Sequence, residues 1–196
     1  FNSSKEFLKK KNITKERDII ALLPGSRSQE INSILPIFLT LKKHFSNYEF
    51  IVAGVKNVND SVYQPALELN VKVVYDQTYD LLSHSKIAVV TSGTASLECA
   101  LFNVPQIVCY KTSSISYFIG KSFVNISFIS LVNIILKKFV VKELIQNDLT
   151  EKKLINELSS LLSGNRISDM LDEYSKIYSM LSRKETSKKI ATSIIS

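Results

Sequence analysis

Cysteine is scarce in this chain: Cys99 and Cys109 are the only two, both sit in apolar stretches, and neither has metal-ligand spacing. That argues against a disulfide scaffold and fits a reducing compartment. Histidine is as rare, with His44 and His84 at the ends of helical patterns and surface positions expected for both, so a His/Cys metal centre is not expected. No clean apolar run reaches the ~20 residues of a membrane span. The stretch that comes nearest, Ser113 to Leu136, is interrupted by Lys121, Asn125 and Asn133. No signal peptide, internal repeat or low-complexity tract is visible, and the first residue is Phe1 rather than Met, which leaves open a piece of something longer. One further absence is local. Between Glu98 and Glu143 there is no carboxylate at all, while Lys111, Lys121, Lys137, Lys138 and Lys142 lie there. Such a stretch is either largely buried or drawn to phosphate or an anionic membrane surface.

What is present is the composition of an ordinary soluble globular protein: 196 residues, 45% apolar and 22% charged. That length suits one well-packed domain. The net charge is +7, and residues 1–17 supply over half of it with six basic and two acidic side chains. Residues 1–17 read as a basic linker or partial helix, with Ser3 to Asn12 as its helical part.

From Asp18 onward, strand and helix alternate. Asp18 to Leu23, Tyr48 to Ala53, Val71 to Tyr75, Ile87 to Val90 and Gln106 to Tyr110 are short apolar, β-rich runs of the kind a parallel sheet buries. Between them, Glu30 to Phe45 shows helical spacing with Pro36 inside it, so a kink or a late start is expected. Asp60 to Leu69, Tyr79 to Ser83 and Ala95 to Leu101 are shorter helices. The alternation predicts an α/β fold with a Rossmann-like, doubly wound parallel sheet. Over Ser113 to Leu136 a helix followed by irregular, substrate-facing chain is expected, with Tyr117, Phe118, Phe123 and Phe128 among hydroxyls. A helical tail follows: Glu151 to Leu162 with Thr150 as its N-cap, a break at Ser163-Gly164, and Ile167 to about Ile195.

Two loops at carboxyl ends of strands carry chemistry. In the first, Gly25 allows close backbone approach, Ser26 adds a hydroxyl, and Arg27 offers a planar fork suited to phosphate. A plain Pro-Gly turn with a surface arginine would look the same. The second is Ser92-Gly93-Thr94, running into Ala95 and Ser96, a strand-to-helix turn whose unpaired N–H groups form an anion site. Glu98 does not fit a capping box, because the acid belongs three residues after a Thr94 cap and Leu97 stands there. It is free to accept hydrogen bonds from a ribose diol, or simply to face the helix dipole. Both loops leave one sheet edge, so together they favour a nucleotide or nucleotide-sugar site.

Three segments, LLPGSRSQEINSILPIF (Leu22–Phe38), VVTSGTASLECAL (Val89–Leu101) and ISLVNIILKKFVVKELIQ (Ile129–Gln146), occur in an order and spacing that resemble the lipid-A-disaccharide synthase family. The likeness is to the C-terminal, donor-binding half of a GT-B glycosyltransferase. It implies a UDP-sugar-binding domain over 18–165, and a helix over 166–196 crossing back to an N-terminal domain that this chain lacks. It implies inverting transfer of 2,3-diacylglucosamine from UDP to 2,3-diacylglucosamine 1-phosphate, forming a β-1,6 disaccharide. No metal or cofactor is implied, since the UDP-sugar is a substrate. Arg27 and the N–H groups of Gly93 to Ser96 would hold the diphosphate and Glu98 the ribose. Asn133 and Glu143 would line the same cleft, and the general base would lie on the N-terminal half, leaving this chain able to bind donor but inactive alone.

The implied partners are the two acylated sugars, the N-terminal domain and the cytoplasmic face of the inner membrane, with no nucleic acid and with homo-oligomerisation left open. Tyr117, Phe118 and Phe123 are either core or membrane-facing. The stripe Leu171, Ile177, Leu181 and Ile190 is expected to be partly exposed toward the absent domain. The chain departs from the family pattern at Val132-Asn133 (usually Pro-Asn), at Lys137-Lys138-Phe139 (commonly Gly-Arg-Glu) and at Lys86 (often Asp). Two other readings share the first two loops: another UDP-sugar GT-B enzyme, such as a peptidoglycan-type transferase or a UDP-sugar epimerase, or a non-catalytic nucleotide-binding or membrane-docking module.

Overall fold

The computed structural model describes residues 7–8, 11, 13, 17–111, 128–164 and 166–182. The expectations for Tyr117, Phe118, Phe123, Lys121, Asn125 and Ile190 fall outside these residues, as does most of the basic leader. Phe7, Leu8 and Ile13 from that leader are buried in the core.

Six strands form one parallel sheet in the order β3-β2-β1-β4-β5-β6. They are β1 (Ile19–Leu23), β2 (Glu49–Gly54), β3 (Lys72–Tyr75), β4 (Ser85–Thr91), β5 (Gln106–Tyr110) and β6 (Lys142–Ile145). The central strands β1 and β4 are paired in the register Leu22 to Val89 and Leu23 to Val90. Every residue of β1 is buried, as the unbroken apolar run IIALL demands of a strand covered on both faces. From β1 the chain winds outward through β2 and β3, then returns to β4 and winds the other way. The crevice over the carboxyl ends of β1 and β4 is therefore the topological switch point, where open α/β sheets bind ligands.

The helices are α1 (Ser28–Leu39), α2 (Leu41–His44), α3 (Gln64–Glu68, entered by a 3-10 turn at Asp60–Tyr63), α4 (Thr78–Ser83), α5 (Thr94–Leu101), α6 (Leu131–Leu136), α7 (Glu151–Leu162) and α8 (Ile167–Ser182). Helix α1 starts earlier than Glu30 and passes through Pro36 without ending there. Pro36 lies on the exposed face, where water can solvate the carbonyl that loses its partner. The predicted N-cap of α7 is present, with Thr150 Oγ1 accepting from the Lys153 N–H at 3.2 Å.

Two expectations need correction. The end of the stretch expected to be irregular is helix α6 (Leu131–Leu136), and beyond it Lys142–Ile145 forms β6, pairing in parallel with β5. Its buried/exposed pattern is that of a short edge strand, and two of its four residues are charged, so periodicity alone does not announce it. The stripe on α8 is divided. Ile177 is fully buried with Met170 and Tyr174, whereas Leu181 is 56% exposed. Helix α8 packs on α5 and α6, and its buried face belongs to this domain's own core.

Candidate functional site

The two loops converge. Gly25, Ser26 and Arg27 after β1, and Ser92, Gly93, Thr94, Ala95 and Glu98 from the end of β4 into α5, line one cleft of about 340 Å³. Leu23, Ala53 and Val55 contribute apolar wall, and Thr78, Thr91 and Glu30 complete it.

Gly25 has φ +114°, and a Cβ there would stand 2.7 Å from Glu30 Oε2. Only glycine fits, because the conformation is left-handed and the carboxylate has folded back over the turn. The Ser26 N–H donates to Glu30 Oε2 at 3.2 Å, and Arg27 Nη1 lies 3.5 Å from Glu30 Oε1 with the arginine side chain 83% exposed. Arg27 is the N-cap of α1, which puts Glu30 at the capping-box position three residues later. Sequence reasoning treated Glu30 only as a helix start; that spacing was the signal for its second role. The exposed Arg27–Glu30 pair contributes little to stability, and its guanidinium can swing to an anion at small cost.

At the second loop, Gly93 rather than Thr94 is the N-cap of α5, with φ +149° and no side-chain cap on the helix. The Ser96 N–H turns back to the Gly93 carbonyl at 3.3 Å, so it is not available to a ligand as expected; Thr94 and Ala95 carry the open N–H groups of the first turn. Glu98 is half-buried within α5. Desolvation pushes its carboxyl above the ordinary value of 4.5. Among the described residues no hydrogen bond or ion pair offsets that burial.

Ser96, Asn133 and Glu143 do not line the cleft as expected. Ser96 is fully buried; its Oγ donates to Gly93 O at 2.9 Å and accepts from Leu131 N–H at 3.2 Å. Asn133 is also fully buried. Its Oδ1 accepts from the N–H groups of Val140 and Val141, at 2.8 and 3.0 Å. Its Nδ2 donates to Val141 O and to Glu143 Oε1, at 2.9 and 2.8 Å. Glu143 Oε1 further accepts from Ser130 N–H and Oγ–H, at 2.9 and 2.8 Å. Glu143 Oε2 accepts from Ile129 N–H at 3.1 Å. These polar atoms are spent on backbone closing the β5-to-β6 connection. The link to the cleft is indirect: Ser92 Oγ–H donates to Ile129 O at 2.7 Å, so the same segment clamps the turn from Ser92 to Ala95 from behind.

A second buried link joins α8 to this turn. Gln106 Nε2 donates to Ser96 O at 2.8 Å and to Tyr174 Oη at 3.0 Å.

A family model described as lipid-A-disaccharide synthetase matches residues 1–195. The chain belongs to that family. Curated lipid-A-disaccharide synthases similar to it include that of Sulfurihydrogenibium sp. (strain YO3AOP1), 34% identical over 64% of this chain and 37% of the relative. That of Coxiella burnetii (strain Dugway 5J108-111) is 32% identical over 63% of this chain and 34% of the relative. The chain thus spans little more than a third of the length of these synthases.

Among solved structures, Escherichia coli ADP-heptose LPS heptosyltransferase II superposes with a TM-score of 0.58 at 14% identity, over 83% of this chain and 53% of that one. The C-terminal CMP-Kdo binding domain of WaaA from Acinetobacter baumannii superposes with a TM-score of 0.55 at 15% identity, over 91% of this chain and 95% of that domain. At such identities the likeness is one of fold, and the fold is a Rossmann-like domain of GT-B glycosyltransferases.

Proposed function

We propose that this chain is the donor-binding half of a glycosyltransferase of lipid A biosynthesis. The reaction is transfer of 2,3-diacylglucosamine from UDP to 2,3-diacylglucosamine 1-phosphate, with inversion, giving a β-1,6 disaccharide and UDP. The observation that carries this reading is Glu98: a half-buried carboxylate without a partner among the described residues, in the same cleft as Arg27 and the uncapped start of α5. A ribose diol would supply the two hydrogen bonds Glu98 lacks. The diphosphate, which gains charge as the glycosidic bond breaks, would meet Arg27 and the Thr94 and Ala95 N–H groups. Electrostatic stabilisation of the leaving group needs no metal or other cofactor in this scheme, and deprotonation of the acceptor hydroxyl falls to a companion N-terminal domain.

In the same reading residues 18–165 are the donor domain and 166–196 run back toward that companion. The exposed Tyr178, Met180 and Leu181 near the end of α8 support a surface meant to be covered. Acylated substrates would place the enzyme on the cytoplasmic face of the inner membrane. Phe139, 75% exposed beside Lys137 and Lys138, is chemistry suited to such a surface; none of the described helices is long and apolar enough to cross it.

Calorimetric titration of UDP into the wild-type chain and into Glu98→Ala tests the site. Loss of two charge-assisted hydrogen bonds is expected to weaken binding by at least about tenfold. Binding indifferent to Glu98, or no binding of UDP by the wild type, overturns the assignment.

A further inference from the structure

Beside the nucleotide cleft lies a second cavity of about 370 Å³, walled by Arg27, Gln29, Glu30, Ser33, Thr91, Tyr110 and Lys111. It shares Arg27, Glu30 and Thr91 with the first cleft, so the two adjoin across the carboxyl ends of β1, β4 and β5. Each alone is near the lower limit for small-molecule sites, roughly 300–1,000 Å³. A ligand with two distinct parts fits the pair better than either space separately.

Thr91 is the telling residue. It ends β4, is only 6% exposed, and its Oγ1 has no hydrogen-bond partner among the described residues. Buried hydroxyls are normally satisfied, and this one, without a partner among the described residues, stands on the wall shared by two cavities, where a ligand can supply one. The other side chains define its chemistry. Gln29, Ser33, Tyr110 and Glu30 present both donors and acceptors, which suits a polyhydroxylated ring. Lys111 is exposed and makes no ion pair among the described residues, leaving three N–H donors free.

We propose that this second cavity seats the sugar ring of a nucleotide sugar whose nucleotide lies in the first, with the Thr91 hydroxyl and the Lys111 ammonium as hydrogen-bond partners of the ring. The proposal rests on the nucleotide-sugar reading above and adds to it the residues that tell UDP-sugar from UDP.

The test titrates the full 196-residue chain with UDP and, separately, with UDP-N-acetylglucosamine as a soluble probe sharing the ring. Thr91→Val keeps the shape and removes only an unpartnered hydroxyl, so its melting temperature is expected to equal or exceed that of the wild type. It should leave the UDP dissociation constant within about twofold and weaken UDP-N-acetylglucosamine about three- to tenfold, as expected for one neutral hydrogen bond. Lys111→Gln, on an exposed side chain that cannot endanger the fold, should discriminate in the same sense. Equal weakening of both ligands, or no weakening of either, overturns the proposal while leaving the nucleotide site standing. Failure of the wild type to bind UDP removes the nucleotide site and this subsite with it, and is a different result.

Discussion

Glu98 has a cost that can be measured without any ligand. Burial holds its carboxyl above the ordinary 4.5, so the folded chain keeps a proton that the unfolded chain has already released. Stability therefore falls as pH rises through the ordinary value, and the loss is complete above the raised one. Glu98→Gln escapes that loss. Thermal melts between pH 3 and 8 should show it melting above the wild type at neutral pH and level with it at the acid end. A gain that persists at low pH would mean the effect is not the carboxylate's charge. The two glycines of the site make a second contrast. Both have a φ that alanine adopts only under strain, and Gly25→Ala also meets Glu30 at 2.7 Å, whereas at Gly93 nothing lies within 4 Å of an added Cβ. Urea denaturation should find Gly25→Ala destabilised by about 1–3 kcal/mol and Gly93→Ala by less, while the Gly93→Ala methyl, standing at the cleft's edge, should depress UDP binding more than stability. What the sequence made legible at this site is that Glu98 stands off a capping box, although the cap is Gly93 and not the Thr94 from which the spacing was counted. The part played by Thr91 was not legible, because an unpaired hydroxyl at the end of an apolar strand looks like any other β-branched residue until its neighbours are in place.

At the scale of elements, the segment from Ile129 to Glu143 behaves as a clamp. One carboxylate gathers the N–H groups of Ile129 and Ser130, the Ser130 hydroxyl and the Asn133 amide. Glu143→Ala should cost about 2–3 kcal/mol, the range for hydrogen bonds to a charged group. It should also speed amide exchange over residues 129–133 before it affects β1 or β4. Uniform acceleration across the whole sheet would argue against a local clamp. The strands β1 to β5 and helix α7 were readable because each has a clear hydrophobic period and a turn or cap at its end. Strand β6 was not, since Lys142 and Glu143 read as surface charge when the strand is only four residues long. The same ambiguity hid the work of Asn133 and Glu143. A motif position specifies that a side chain matters, and only the fold separates touching a ligand from holding the loop that does. At Pro36 the late start is what fails, since the helix already begins at Ser28: solvent on one face of α1 absorbs a defect that a buried helix could not.

For the molecule as a whole, the sheet's switch point brings the two loops together with Ala53, Val55 and Thr78 from the neighbouring connection, yet helix α8 completes the support behind them. Met170, Tyr174 and Ile177 are buried against the rest of the domain. Tyr174→Ala should cost about 3–5 kcal/mol, as for other aromatic truncations in cores, whereas Tyr174→Phe, losing only the hydrogen bond to Gln106, should cost about 1 kcal/mol. Chemical denaturation of the pair separates packing from polarity. The position of Tyr174 also sets an order of events during synthesis. The turn from Ser92 to Ala95 is made by residue 98, but the Gln106 side chain behind it finds its second partner only once residue 174 has left the ribosome. Ribosome-bound chains arrested before that length should retain immobilised UDP poorly, and those arrested well beyond it should retain it as the released protein does, so the cleft matures once residue 174 has emerged rather than when its own residues do.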